Sequence, residues 1–365
     1  MPISTPAAVA HEGATEFSVE TVDLRDPGPA DVVVEVGASA FCYSDWISLR
    51  GDAGLAEGGL YPAVLGHAAV GTVVDAGPDA RTRPGTRVLI TATPECGRCF
   101  WCTSGRIDQC AELFAPAPVV GTLSDGRAVR GPGASATYAE RTVIRDIQVF
   151  PTDSDLPDAW LAMFGCGVVS GMGAVVNVAR VAPGESVVVV GCGQVGLWMV
   201  QAARAAGAGE IIAVEPIAER RALAAHLGAT LVVDPADGDV AEQVRAVTGG
   251  RGADHGLDAG GTTESVRDAF ALSRLGGVVT LTSYVTRHTT VEFPLFDLAL
   301  RGRDVRSSQS GRLDMTRDMA RFLPWMTDGR VDPQAMVGGI RPLTAMADTL
   351  AASRDRRELT PIVAP

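Results

Sequence analysis

Apolar positions in the first 150 residues fall in short runs, "DVVVEVGASAF", "GTVVDAG", "RVLITATP" and "ATYAERTVI", parted by Gly and Pro. Runs of this length between turn residues predict a many-stranded, loop-rich β domain. From about Ala174 the period changes. "SVVVVG" is an unbroken β-branched run suited to a strand buried on both faces. "QVGLWMVQAARAAGA" then carries apolar residues at helical spacing up to a glycine stop. "EIIAVE", "AERRALAAHLGA", "TLVVD", "GADHGLDAG", "TESVRDAFALSRL" and "GGVVTLTSY" continue the alternation, which predicts a doubly wound parallel sheet. Beyond about Arg303 it loosens. "MTRDMARFLPWMTDG" predicts a helix, and "ELTPIVAP" a strand that returns to the first domain. The expected organisation is one domain of residues 1–167 and 307–365, with an α/β domain of residues 168–306 inserted in it.

With 365 residues there is enough chain for two cores, and 46% hydrophobic with 20% charged residues is the profile of an ordinary globular protein. A net charge of −12 argues against nucleic acid as a partner, because phosphate backbones need a basic face. All 31 basic residues are arginine. Schiff-base catalysis and a Walker-type phosphate lysine are therefore excluded, since each needs an amine. The stretch "MPISTPAAVAHEG" has neither a basic start nor a long apolar core, so it does not read as a signal peptide. The most apolar region, Val187 to Val200, is broken by Gln194 and glycines and is too short to span a bilayer. A soluble, cytoplasmic protein acting on a small molecule is expected.

Seven cysteines in such a chain read as metal ligands or reactive thiols rather than disulfides. "CGRCFWCTSGRIDQC" sets Cys96, Cys99, Cys102 and Cys110 on one loop, able to enclose a tetrahedral Zn²⁺ with no open position, a structural role. An iron–sulfur cluster is the rival, although Ala111 stands where such ligand sets usually place proline. "VVVVGCGQVG" puts Gly191, Gly193 and Gly196 in G-x-G-x-x-G register, with Gln194 and Val195 opening a helix after a buried strand. That pattern predicts a dinucleotide pyrophosphate at the helix N-terminus. Glu215, at the end of the next strand, is placed to take the ribose hydroxyls of NAD and to repel the 2′-phosphate of NADP. Arg220 and Arg221 lie nearby and leave NADP open, Arg220 being a candidate cofactor contact. His67 in "LGHAAVG", Cys42 in "FCYSDW" and Cys166 in "FGCGVVSGMGA" each read individually as a core residue or a ligand.

Taken together, C-x-S-D at Cys42–Asp45, Gly66–His67, the four-cysteine loop, "GCGVVSGMGAVVN" and the glycine turn resemble the zinc-containing medium-chain alcohol dehydrogenase family, end to end. The resemblance implies a Rossmann sheet inserted in a β-rich, GroES-like catalytic domain, two zinc ions per chain, and a homodimer or homotetramer. It implies a catalytic zinc on Cys42, His67 and Cys166 with an open fourth position. Ser44 would carry a proton, Asp45 would hold the second nitrogen of His67, and Ser170 would contact the nicotinamide. The implied reaction is hydride transfer between a nicotinamide cofactor and an alcohol/aldehyde or ketone pair. "GTLSDGRAVRG" and "GCGVVSGMGAVVN" look most like the class III and bacterial thiol-linked branch.

Four positions depart from the family pattern. Ala68 replaces the glutamate that usually follows the ligand histidine, and Ile47 replaces a relay histidine. Tyr43 stands where several members have a pyrophosphate-binding arginine, and Ala92 where many have a bulky pocket residue. Loss of acid and relay together opens an alternative on the same scaffold, reduction of an iminium or conjugated enone. A catalytically silent nucleotide-binding protein is the third reading, and retention of all three apparent ligands speaks against it.

Overall fold

The computed structural model describes residues 3–51, 60–91, 93, 95–113, 115–282 and 289–365. The chain divides into two compact units, Met1–Cys166 with Gln334–Pro365, and Gly167–Pro333.

The first unit is built from β runs. Ser4–Ala10, Ser18–Leu24, Val119–Leu123, Ala128–Arg130 and Ala63–Val64 close a barrel. A second sheet runs in the order Val149–Pro151, Arg87–Thr91, Ala68–Ala76, Asp31–Ala40, Thr360–Ala364 and Val337–Pro342, with Arg141–Arg145 also paired to Asp31–Ala40. Asp31–Ala40 is buried on nearly every residue because it has neighbours on both edges and cores on both faces. The chain's last strand pairs antiparallel with it, Ile362 opposite Ala40.

The second unit is a six-stranded parallel sheet ordered Leu231–Val233, Glu210–Val214, Ser186–Val190, Ala253–Asp258, Ser273–Leu281 and Asp304–Ser307. The strand order 3-2-1-4-5-6 is that of a Rossmann fold, with its crevice at the carboxyl end of Ser186–Val190. Every residue of that strand is buried, as its unbroken β-branched run predicts.

One expectation needs correction. Residues 307–333 pack with the second unit, where the sequence pattern assigns them to the first. Polar anchors explain why: Asn177 Nδ2 donates to the Gly311 carbonyl at 3.2 Å and to buried Asp318 at 3.1 Å, and Asp332 N donates to Gln201 Oε1 at 2.5 Å. Among the described residues, the helix Asp158–Ala179 is 22 residues long with mean hydropathy 1.8. By length and composition it is able to cross a membrane, yet 72% of its most apolar window is buried, as in a core helix.

Candidate active site

His67 follows a residue that only glycine can occupy. Gly66 has φ +84°, and a Cβ there would lie 2.6 Å from Thr137 Oγ1 and 2.7 Å from the Tyr138 ring. That tight passage delivers His67 to the head of the strand Ala68–Ala76. Cys42 caps the short helix Tyr43–Leu49, and Asp45 in its first turn reaches back to accept from Cys42 N at 3.2 Å. The other oxygen of Asp45 lies 3.2 Å from His67 Nδ1, which leaves Nε2 to face Cys166 Sγ at 3.3 Å.

Cys166 sits in a π-helical turn, Phe164–Val168. Such turns widen a helix locally and are common at functional sites. Gly165 lets this one press on the strand Arg87–Thr91, since a Cβ there would be 2.1 Å from the Ile90 carbonyl. Thr91 Oγ1 donates to the Gly165 carbonyl at 2.9 Å and fixes the turn. Cys166 Sγ is then 3.9 Å from Cys42 Sγ. One ligand atom from each of Cys42, His67 and Cys166 lies within 4.8 Å of the others, a cluster that can hold a metal ion.

A hydrogen bond from Cys166, winning over burial, and then His67 draw the Cys42 thiol well below its usual range. Burial opposes charge on His67, but the Asp45 carboxylate and then Cys42 raise its pKa well above the ordinary value. Ser44 Oγ donates to Cys42 Sγ at 3.1 Å, so its hydroxyl belongs to the cluster. Ala68, the residue after His67, is fully buried and brings no acid, Ile47 is partly buried on the same helix as Ser44, and Tyr43 is 43% exposed. Ala92 lies outside the described residues.

One neighbour was not legible in the sequence. Tyr138, wholly buried and stacked on Phe41, donates its hydroxyl to Asp45 Oδ2 at 2.6 Å. Burial and then the Asp45 charge hold that phenol well above its usual range, so it stays a donor. It lies 93 residues from Asp45, between Thr137 and Ala139, with no local motif to mark it.

Cys96, Cys99, Cys102 and Cys110 form the second ligand cluster, again within 4.8 Å. Backbone N–H groups of Cys96, Cys99 and Cys102 point at the sulfurs of Cys110, Cys96 and Cys99 at 3.4, 3.4 and 3.5 Å. Such donors favour thiolates. Backbone N–H groups of Ala111 and Cys102 bring the Cys99 thiol down to about 6, whereas burial lifts Cys102 to about 12.

In the second unit the glycine turn is as tight as its pattern requires. A Cβ on Gly191, φ +92°, would meet Gly260 Cα at 2.6 Å, and one on Gly196 would meet the Gly191 carbonyl at 1.9 Å. At Gly193 nothing lies nearer than Arg220 Nη1 at 4.0 Å, so this face is open to a ligand. Gly193 caps the helix Gln194–Ala205 without a side-chain bond, leaving its first N–H groups for an anion. Glu215 is buried and accepts from Cys192 N at 2.6 Å and Ile217 N at 3.0 Å, which sets its carboxylate at the mouth of the turn. Ser170 is in the helix Val169–Gly173 of the same unit.

Comparison with known proteins follows the same division. Residues 28–158 match the family described as alcohol dehydrogenase GroES-like domain, and residues 195–328 match zinc-binding dehydrogenase. Geraniol dehydrogenase of Castellaniella defragrans is 32% identical over 90% of this chain and 89% of its own. S-(hydroxymethyl)glutathione dehydrogenase of Paracoccus denitrificans is 30% identical over 91% and 92%. The crystal structure of benzyl alcohol dehydrogenase from Acinetobacter calcoaceticus superposes with a TM-score of 0.91 at 26% identity, covering 99% of both chains. Matched over nine-tenths of its length, the chain belongs to the zinc-containing medium-chain alcohol dehydrogenase family and is a zinc-dependent oxidoreductase that uses a nicotinamide cofactor.

Proposed function

We propose that Cys42, His67 and Cys166 hold the catalytic zinc of an alcohol dehydrogenase working on an alcohol/aldehyde pair, and that Cys96, Cys99, Cys102 and Cys110 hold a structural one. The observation that carries this is the meeting of two sulfurs and one imidazole nitrogen within 4.8 Å, with the other nitrogen turned to Asp45. Two thiolates and a neutral imidazole with one position left open are a catalytic zinc set, and four thiolates a closed one. When bound, zinc supplies Lewis acidity to a substrate oxygen, and the nicotinamide accepts or returns hydride.

The chain's own groups do the rest. Asp45 fixes the His67 tautomer, so Nε2 keeps its lone pair for the metal. Ser44 Oγ, in contact with a ligand sulfur, receives the alcohol proton and passes it to water or to a cofactor hydroxyl, because Ile47 offers no second ionisable group. Gly191, Gly193, Gln194, Val195 and Gly196 bind the pyrophosphate, and Arg220 lies beside them. Glu215 takes the adenosine ribose of NAD in preference to NADP, and Ser170 contacts the nicotinamide. The working form is a cytoplasmic homodimer or homotetramer.

NAD⁺-dependent absorbance change with aromatic, terpenoid and hydroxymethyl-thiol alcohols tests the reading. Turnover with at least one of these classes is expected, and none with any alcohol or its aldehyde would refute it. A second reading, reduction of cyclic iminium ions or enones, is favoured by the buried Ala68 and by Ile47. Turnover confined to plain alcohols and aldehydes would sink that alternative.

A further inference from the structure

The nucleotide crevice holds an ion pair that bears on which cofactor it takes. Arg221, one turn into the helix Ala218–Leu227, directs Nη2 to Asp234 Oδ2 at 2.8 Å and donates from Nη1 to the Glu215 carbonyl at 2.7 Å. Both side chains of the pair are only 19% exposed. Asp234 follows the strand Leu231–Val233, and its other oxygen accepts from Ala236 N at 2.9 Å. The strand itself is tied to the ribose-binding position, since Glu215 N donates to the Val233 carbonyl at 3.0 Å. Asp234 is thus held in place from its own turn and does not depend on Arg221 for its position.

A guanidinium beside the end of the second strand is the usual means of accepting a 2′-phosphate. Here both Nη atoms of Arg221 are engaged, and the charge is offset by a carboxylate. We propose that Asp234 is a specificity-determining residue. By pairing with Arg221 it keeps that guanidinium from serving a 2′-phosphate, and it adds a second negative charge to that of Glu215. Selection of NAD then rests on two carboxylates with different tasks. Glu215 faces the ribose, and Asp234 silences the arginine that would otherwise compensate for it.

The inference rests on the cofactor site proposed above, and the test separates the two. Zinc-loaded full-length protein, its Asp234→Asn and Arg221→Ala variants, and the double variant are titrated with NADH and with NADPH by fluorescence. Asp234→Asn is expected to shift the NADPH-to-NADH affinity ratio toward NADPH by about tenfold, the worth of a hydrogen bond to a charged group. In the Asp234→Asn/Arg221→Ala protein that gain disappears. An unchanged ratio in Asp234→Asn, or a gain that survives loss of Arg221, would overturn the proposal. Asp234→Ser gives the same readout should the amide disturb the turn at Ala236. Wild-type protein that binds neither dinucleotide would overturn the site itself and the proposal with it.

Discussion

Tyr138 Oη donates to Asp45 Oδ2 at 2.6 Å, while Asp45 Oδ1 faces His67 Nδ1 at 3.2 Å. The carboxylate is held between a phenol and the imidazole it orients, and its grip on His67 depends on both. Loss of the partner of a ligating histidine costs about 10- to 100-fold in metal affinity, and Tyr138 stands one bond further out, on Asp45. Tyr138→Phe is therefore expected to weaken zinc at one site by about three- to tenfold in chelator competition. The four-cysteine site serves as the internal control and is expected to keep its metal. Equal loss from both sites would mean general loosening instead.

Gly66 carries a second consequence of the same packing. Alanine there would combine a positive φ with overlap against Thr137 and the Tyr138 ring. Gly66→Ala is expected to cost about 2–4 kcal/mol and to lower the melting temperature clearly. Zinc at the His67 site should fall with it, read by metal analysis of the folded fraction.

The cysteine loop is closed by Cys110, buried between two backbone N–H donors. Cys110→Ser is expected to lose one zinc per chain and to lower the melting temperature, while metal at Cys42, His67 and Cys166 remains. Loss of both ions would tie the two clusters together more closely than their separate ligand sets suggest.

Acid stability has an identifiable contributor in the second unit. Burial works against the Asp254 carboxylate, but hydrogen bonds from Ser186 and then Arg274 bring its pKa to about 2. A pKa depressed on folding stabilises above the unfolded value, near 4, and that stability is lost as pH falls toward 2. Wild-type protein should lose about 2 kcal/mol from this group across that window. Asp254→Asn should be less stable at pH 7 and flatter between pH 4 and 2, measured as melting temperature against pH.

How much of this was legible in the sequence depended on where each signal lay. The Rossmann unit could be read because "SVVVVG", the glycine turn and Glu215 are local and each has a backbone reason. Cys42, His67 and Cys166 lie far apart, yet thiol and imidazole chemistry in a family pattern was enough to group them. Tyr138 was hidden because a buried phenol in a β run looks like any apolar position. The π turn at Phe164–Val168 was hidden too, since no residue type announces a widened helix. The return point near Gln334 depended on Asn177, Gln201 and their distant partners, and hydrophobic period carries no trace of such bonds. The ion pair of Arg221 with Asp234 is a tertiary contact that no local pattern announces.

In the proposed function, Cys42, His67 and Cys166 together hold the zinc at which the alcohol reacts. Zinc per chain, measured alongside alcohol-dependent NADH formation in wild-type and Cys166→Ala protein, tests it most directly. Two zinc ions and turnover are expected in the wild type, and one zinc ion without turnover in the variant. A variant that kept both the second zinc and its turnover would contradict it.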